Sequence, residues 1–276
     1  MTDAAPTVAA NGGARRPRLK VLHTSDVHLG AYDSVSVELR DSIQSTFERV
    51  IDVGIAEGID LMLIAGDVFD NARVRPETLA FAAEQLGRLG VPVVLNPGNH
   101  DHVGPGSVYD RIDLEAETGN VRLMRAPDGE TVAIEALEVE VWGRCHTEQL
   151  PDFSPFGDPP PRGKAAWQLG IGHGNYIPPR ALLYQSFNIR EEHLAATERD
   201  YVALGHWEQM TRVSAGATVT AAYSGAPEGL ERRDQHGHVL IVDLHEDGRV
   251  ELTGHPLAEA ERIAHDDLGL LQALQD

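Results

Sequence analysis

The pattern of apolar and polar residues changes its period several times along the first hundred positions. Three short apolar runs are typical of buried strands: RLKVLHT (18–24), IDLMLIAG (59–66) and VPVVLNPG (91–98). The segments between them carry apolar residues three and four positions apart, which predicts amphipathic helices over 38–57 and 76–89. This alternation of strands and helices predicts parallel strands with helices covering them.

The second half of the chain is richer in strand-like segments than the first. A Pro- and Gly-rich stretch, 151–164, interrupts them and predicts a loop. Further strands are predicted at 121–124, 131–136, 137–143, 167–174, 200–206, 217–225, 238–244 and 249–254. Together the two halves predict an α/β fold in which two packed β-sheets are flanked by helices.

The same pattern divides the chain into three regions. Residues 1–17 are rich in Ala, Gly and Arg and lack an apolar segment, so we expect a flexible tail rather than a secretory signal. Residues 18–256 carry the strands and helices and form one predicted domain. Spaced apolar residues over 257–276 predict a C-terminal helical segment. The sequence leaves open whether that segment packs on its own chain, on a partner or in a homodimer.

Composition narrows the functional classes. The formal net charge is −20, which counts against strong unaided binding to nucleic acid, because such proteins usually carry a basic face. No apolar run reaches the roughly 18–20 residues that a membrane span needs, so we expect no membrane partner. The single cysteine, Cys145, excludes an internal disulfide framework and favours a reducing, cytoplasmic setting.

Five short polar segments follow directly after predicted strands. Their metal-binding or acid–base residues are Asp26 and His28, Asp67 and Asp70, Asn99 with His100 and Asp101, His173, and His206 with Glu208. Ligands bind at the carboxyl ends of parallel strands, and carboxylate, imidazole and amide groups suit borderline divalent metals. Each segment alone is ordinary turn chemistry. Five of them in this order predict a site for divalent metal ions.

These segments resemble the calcineurin-like metallophosphoesterase superfamily, whose signature is D-x-H, G-D-x-x-D, G-N-H-D/E, a later His, and G-H-x-H. The stretches LHTSDVHLG, LIAGDVFD, NPGNHD and YVALGH, with YSGAPEGLE further on, are most similar to the DNA repair exonuclease branch, the SbcD-like nucleases. The resemblance covers about residues 18–255. It implies a four-layer metallophosphoesterase sandwich, with two packed mixed β-sheets flanked by helices.

The resemblance also implies a role for each residue. The implied metal ligands are Asp26, His28 and Asp67 for one ion, and Asp67, Asn99, His173 and His206 for the other. Asp67 would bridge two divalent ions, which would share and activate a water for in-line attack. His100 would act beside the scissile phosphate as a proton donor or charge stabiliser, and Asp101 would orient it. Asp70 would support a metal ligand, as outer carboxylates do.

One position departs from the family pattern. The second His of G-H-x-H is replaced by Glu208. Glutamate is a competent ligand, so we expect it to complete the first metal site. An outward-pointing Glu208 that leaves this site weak is the alternative. Manganese is the preferred metal, with iron and zinc also open, and an oxygen donor at position 208 favours manganese or iron over zinc there.

Three functions fit these observations. The resemblance favours a phosphodiesterase or nuclease of the SbcD-like kind, acting on DNA with an ATPase partner of the SbcC type. A small-molecule phosphodiesterase or phosphatase fits the acidic charge and the short chain better, because one fold serves many substrates. A non-catalytic interaction module, as in the retromer-subunit relatives, is least favoured because the ligand set is nearly complete.

Overall fold

A computed structural model describes residues 15–148, 152–178, 186–228, 237–258 and 261–271. The α-helices are α1 (Val37–Glu57), α2 (Pro76–Arg88), α3 (Leu114–Thr118) and α4 (Glu191–Ala196), and 3-10 turns occupy Val108–Asp110, Glu135–Leu137 and His265–Asp267. Within these ranges, no helix is long and apolar enough to cross a membrane.

The first sheet contains the parallel strands that the first half of the sequence predicts. Its described strands lie in the order β14 (Val250–Pro256), β13 (His238–Leu244), β1 (Leu19–Thr24), β2 (Leu61–Ala65), β3 (Val93–Asn96) and β4 (Val121–Leu123). Strands β1 to β4 are parallel, whereas β13 and β14 are antiparallel to their neighbours. Gly54 of α1 lies against Leu22 of β1, so this helix covers the outer face of the sheet.

The second sheet is also mixed. Its described strands lie in the order β15 (Leu270–Leu271), β11 (Thr211–Val213), β12 (Thr220–Tyr223), β10 (Tyr201–Gly205), β7 (Trp167–His173), β6 (Val139–Gly143) and β5 (Glu130–Ile134). The four strands β12, β10, β7 and β6 are parallel. Two short strands, β8 (Asn175–Ile177) and β9 (Asn188–Arg190), pair separately beside the end of β7.

The two sheets pack face to face, as the side chains of β10 show. Tyr201 and Ala203 belong to the core between the sheets, whereas Val202 and Leu204 pack with α4 on the outer face. This alternation follows from the two-residue period of a strand. His23 of β1 reaches across the core, where its Nδ1 lies 2.8 Å from Tyr201 Oη, and burial lowers the pKa of His23 to about 3. The predicted sandwich of two sheets flanked by helices is confirmed.

The part of the N-terminal tail that the structure describes is held against the domain. Arg16 lies over the Trp167 ring, 4.6 Å from its centre, and forms an ion pair with Asp200 at 3.0 Å. Trp167 Nε1 donates to the Pro17 carbonyl at 2.7 Å. A cation over an indole face is favourable, which accounts for the fixed position of these residues. Residues 1–14 of the predicted tail lie outside the described residues.

The prediction of a C-terminal helix over 257–276 is wrong for the residues that the structure describes there. The chain instead forms the 3-10 turn at 265–267 and then β15, which pairs with β11. Leu268 is buried, and the Gly269 carbonyl accepts from Arg212 N at 2.8 Å. The edge of β11 has unpaired backbone groups, and these residues form hydrogen bonds with them as a strand. A helix at this position would leave that edge unpaired. Residues 259–260 and 272–276 of this prediction lie outside the described residues.

A buried carboxylate fixes the start of α2 to the loop that follows β1. Asp33 accepts hydrogen bonds from Arg75 N at 2.9 Å and from Thr78 Oγ1 at 3.0 Å. Arg75 precedes α2 and makes no capping bond with its own side chain. Asp33 therefore provides the polar acceptor that this helix start needs, from a distant part of the chain.

Asp33→Ala is expected to lower the free energy of unfolding by about 1–2 kcal/mol, because the start of α2 loses its acceptor. Chemical denaturation measures this loss. Asp113→Ala is the matched control, since Asp113 caps the short, exposed α3 through Ala116 N at 3.1 Å, and its loss should be smaller. Equal losses in the two variants would contradict the special role of Asp33.

Candidate metal centre

The predicted ligands lie where parallel strands of both sheets end. Asp26 follows β1, Asp67 follows β2 and Asn99 follows β3, while His173 ends β7 and His206 follows β10. Because the sheets pack face to face, the ends of β2 and β3 lie beside the ends of β7 and β10. The structure therefore brings these five side chains to one edge of the sandwich, as the strand assignment predicts.

Several of these ligands have strained backbone conformations. Asp26, His28, Asp67 and His206 adopt positive φ angles of 55°, 53°, 54° and 104°. Residues other than glycine rarely do so, and each costs on the order of 1–3 kcal/mol. Backbone hydrogen bonds hold the turns, from Asp26 N to the Gly66 carbonyl and from His28 N to the Asp67 carbonyl, both at 3.0 Å. Such clustering is typical of a functional site.

Two glycines are required because other ligands occupy the space beside them. A Cβ atom on Gly66, which has a φ of 90°, would overlap the His173 ring. A Cβ atom on Gly98 would overlap the Asp67 carboxylate. These two glycines therefore leave room for the neighbouring side chains of His173 and Asp67.

Four potential ligands of the second metal ion lie close together. We call them the second-site cluster: Asp67, Asn99, His173 and His206. His173 Nε2 lies 3.1 Å from Asp67 Oδ2 and 3.0 Å from Asn99 Oδ1. His206 Nδ1 lies 3.1 Å from the same Asn99 oxygen and 3.2 Å from His173 Nε2. Carboxylate, amide and imidazole donors aimed at one point match the requirements of a divalent transition metal. The residues therefore fit a cation here.

The contacts of His173 determine which of its nitrogens faces this cluster. Its Nδ1 lies 2.8 Å from the Ala65 carbonyl, which only accepts, so Nδ1 carries a proton and donates it. Nε2 is then the nitrogen directed at Asp67, as in metal-bound histidines. Burial alone would lower the pKa of His173, but the Asp67 carboxylate raises it to about 9. Burial would raise the pKa of Asp67, and the charge on His173 instead holds it well below its usual range.

A first-site cluster shares Asp67 with the second and adds Asp26 and His28. His28 Nε2 lies 3.9 Å from Asp67 Oδ2, and Asp26 Oδ2 accepts from His206 N at 3.0 Å. Burial raises the pKa of Asp26, and a bound cation would offset that cost. On the other side of the His28 ring, Nδ1 lies 3.5 Å from Asp70 Oδ1. Asp70 is thus placed to support His28, as predicted.

His100 lies at the rim of the site. Its side chain is 42% exposed, and its ring is edge-on to His28 with 4.8 Å between ring centres. Its Nδ1 lies 2.9 Å from the Asp70 carbonyl, and its backbone N donates to Asp67 Oδ1 at 2.9 Å. An exposed imidazole beside the two clusters is available to a bound phosphate.

Asp101 has a different role from the predicted one. Instead of orienting His100, its buried carboxylate accepts hydrogen bonds from the backbone of two loops. The donors are Asp67 N at 3.2 Å, Val68 N at 2.8 Å, Phe69 N at 3.3 Å, Gly98 N at 2.8 Å and the Tyr109 hydroxyl at 2.7 Å. Asp101 therefore fixes the Asp67 loop to the Asn99 loop. The predicted partner of His100 is replaced by the Asp70 carbonyl.

A family profile described as calcineurin-like phosphoesterase matches residues 19–255. That range includes strands β1 to β13 and every predicted ligand. The chain belongs to the calcineurin-like phosphoesterase family. The prediction of a metal-dependent phosphoesterase is confirmed at the level of this family.

Relatives within the family include DNA repair proteins. The DNA double-strand break repair protein Mre11 of Methanopyrus kandleri is 28% identical, over 84% of this chain and 56% of that protein. Mre11 of Aeropyrum pernix is 40% identical over a shorter match, 39% of this chain and 26% of that protein. The chain therefore spans about half the length of the first relative and less of the second.

A solved structure supports the fold of the family. A dimetal phosphatase from Danio rerio superposes with a TM-score of 0.58 over 90% of this chain and 99% of that chain, at 11% identity. At such low identity the likeness concerns the fold alone.

Glu208 is the family position at which this chain differs. Its side chain is exposed, and the three groups of carboxylate and histidine side chains that could hold a metal among the described residues do not include it. Its backbone carbonyl accepts from Ala226 N at 3.0 Å. Ligation of the first site by Glu208 therefore stays a prediction, because these groups form without it.

Sequence reasoning missed several residues that shape this family site. Tyr109 bonds Asp101, His146 Nε2 lies 2.8 Å from the His173 carbonyl, and Asn175 contacts His206. Tyr109 and His146 are in no motif, so the sequence carries no signal for them. Asn175 stands two positions after His173, and this closeness in the sequence is the one signal that could have identified it. Tyr176 is buried and packs in the core of the second sheet's outer face.

Asp101→Ala is expected to lower the free energy of unfolding by about 2–4 kcal/mol, because several buried backbone donors lose their acceptor. Thermal or chemical denaturation measures the loss, and elemental analysis measures the accompanying fall in bound metal. Tyr109→Phe is the control, since it removes one of these bonds and should cost about 1 kcal/mol. A stable Asp101→Ala variant with unchanged metal content would show that the carboxylate does not hold the two loops.

Glu208→Ala is expected to leave the number of bound Mn²⁺ ions unchanged, because the Glu208 side chain lies outside the ligand clusters. Metal titration followed by elemental analysis checks this. Asp26→Asn is the matched control and should lose the ion of the first site. Loss of an ion in the Glu208 variant would instead show that this side chain swings inward when metal binds.

Proposed function

We propose that this chain is a phosphodiesterase of the nuclease kind, which hydrolyses phosphodiester bonds in DNA with two divalent cations, preferably Mn²⁺. The observation that carries the proposal is the position of Asp67. Its carboxylate lies between the first-site and second-site clusters, within 3.1 Å of His173 and 3.9 Å of His28. A shared carboxylate between two ligand sets suits two-metal phosphoryl chemistry.

The ligand residues divide between the two ions. Asp26, His28 and Asp67 would hold one, and Asp67, Asn99, His173 and His206 would hold the other. When bound, such ions supply positive charge to the phosphate oxygens and lower the pKa of water. Manganese is preferred because carboxylate and amide oxygens accompany the imidazoles, while iron and zinc fit the same donors.

A side chain of the protein would supply the proton to the leaving group and would contact the phosphate. The Asp70 carbonyl accepts from His100 Nδ1 at 2.9 Å, which leaves Nε2 for a phosphate oxygen or the departing hydroxyl. The Asp70 carboxylate also lies close to this ring, with Oδ1 3.8 Å from His100 Nδ1. His100 would therefore donate a proton or stabilise charge at the leaving group.

Two arginines on or beside the loop that carries Asp70 favour a substrate with several phosphates. Arg73 and Arg111 are exposed, and Arg111 Nη1 donates to the Ala72 carbonyl at 2.7 Å, which ties it to the loop that carries Asp70. Guanidinium groups match phosphate oxygens well. Against a net charge of −20, such a local basic rim supports weak, salt-sensitive contact with a DNA backbone. An ATPase partner of the SbcC type would strengthen the grip.

The proposal is tested by cleavage of end-labelled single- and double-stranded DNA with Mn²⁺ at low salt, beside an activated phosphodiester dye. We expect cleavage of both by the wild type and none by Asp67→Asn, which removes the shared charge. Full activity of Asp67→Asn would contradict the two-metal site. Dye hydrolysis without DNA cleavage would favour a small-molecule phosphodiesterase, for which the acidic composition is the supporting observation.

His100→Ala is expected to lower turnover by about 10²- to 10⁴-fold, because proton donation at the leaving group is lost. Its Mn²⁺ content should equal that of the wild type. Steady-state kinetics and elemental analysis make the two measurements, with His245→Ala, away from the site, as the control. Loss of metal in His100→Ala would mean that His100 is a ligand.

A further inference from the structure

Trp207 presents one side of an aromatic ring beside the candidate metal centre. It directly follows His206 of the second-site cluster, and its side chain is half-buried. Its ring stacks on Tyr223, with 5.2 Å between ring centres and 16° between planes. Tyr223 itself is fully buried. The solvent-accessible part of Trp207 therefore lies on the face and edge that point away from Tyr223.

The ring beneath Trp207 is held in place by hydrogen bonds to the backbone. The Tyr223 hydroxyl donates to the Gly174 carbonyl at 2.6 Å and accepts from Tyr176 N at 2.8 Å. These bonds use both the donor and an acceptor site of the hydroxyl. A fixed lower ring keeps the stacked upper ring in one plane, so Trp207 is a rigid surface before any ligand reaches it.

The polar edge of the indole is already occupied by the protein. Trp207 Nε1 donates to Asn175 Oδ1 at 3.1 Å. Asn175 Nδ2 in turn lies 3.0 Å from His206 Nε2, which places this edge of the indole next to the His206 ring. Because an indole has one N–H group, the rest of the Trp207 ring offers a ligand an aromatic surface and no hydrogen bond.

The two ends of the centre differ in the groups that they offer to a substrate. At the first-site end, His100 is edge-on to His28, with 4.8 Å between ring centres. At the second-site end, Trp207 is followed by the exposed side chain of Glu208. A carboxylate repels a second phosphate but not a neutral ring. The end at Trp207 therefore suits an uncharged, planar part of the substrate.

We propose that Trp207 is a stacking platform for a nucleobase, on the nucleotide whose phosphate binds at the candidate centre. The proposal rests on the phosphodiesterase function proposed above and adds a subsite for the base. Every base has an aromatic face, so stacking on Trp207 is expected to tolerate any base. A base must leave a duplex to stack here, so the subsite favours single strands and frayed ends over an intact duplex.

The test measures binding of deoxyadenosine monophosphate and of deoxyribose phosphate to the full chain with Mn²⁺, by calorimetric titration. We expect the wild type to bind the nucleotide more tightly, and Trp207→Leu to bind the nucleotide about 5- to 100-fold more weakly than the wild type does. Affinity for deoxyribose phosphate should not change in Trp207→Leu, because that ligand has no base. Gln209→Ala, at an exposed neighbouring residue, is the matched control and should bind both ligands as the wild type does.

Tryptophan fluorescence locates the bound base. Of the three tryptophans, Trp142 and Trp167 are buried, so a stacked base should quench Trp207 alone. Trp207→Phe keeps an aromatic ring over Tyr223, and we expect it to retain most of the nucleotide affinity but to lose the quenching. Quenching that persists in Trp207→Phe would overturn the proposal. This variant decides alone if Trp207→Leu fails to fold, as circular dichroism would show.

Three other results would overturn the base subsite: equal affinity of the wild type for the two phosphates, no binding of either, or unchanged nucleotide affinity in a folded Trp207→Leu. Failure of the proposed function looks different. In that case the wild type would prefer the nucleotide, and Trp207→Leu would lose this preference, yet neither DNA nor the phosphodiester dye would be cleaved. The two failures are therefore distinguishable.

Discussion

The contact between His173 and the first sheet is the interaction on which the candidate centre depends. His173 belongs to β7, yet its Nδ1 donates to the Ala65 carbonyl at the end of β2 and its Nε2 lies 3.1 Å from Asp67 Oδ2. Both contacts exist only if the two sheets pack in this register. The carboxylate then raises the pKa of the histidine to about 9, against the effect of burial. Asn99 and His206 both contact His173 Nε2 and so complete the second-site cluster.

The loops that carry these ligands are strained, and the surrounding structure supplies the energy to hold them. Four ligands have positive φ angles, which short loops alone would not maintain. The strands beneath them are almost fully buried, and β2 is buried at every position. Asp101 then fixes the Asp67 loop and the Asn99 loop through backbone hydrogen bonds. A rigid core and one buried carboxylate together fix the positions of the candidate ligands.

Ligand geometry and substrate choice belong to different parts of this family fold. The converging ligands account for phosphoester chemistry in general, because they provide for cations and not for any particular leaving group. Substrate choice is expected at the rim, where His100 is exposed and Arg111 is tied to the loop carrying Asp70. A few rim cations on a chain of net charge −20 favour local contact with phosphate over broad binding of a duplex.

The sequence by itself determined the parallel strands and indicated the candidate ligand residues. Apolar runs define buried strands, and a polar segment after each parallel strand must reach the same sheet edge. Only the tertiary structure decided that Asp101 holds two loops, that Glu208 lies outside the clusters and that Asn175 contacts His206. It also decided that residues 270–271 pair with β11 instead of continuing a helix. These outcomes depend on atoms far apart in the chain, and local periodicity carries no information about such contacts.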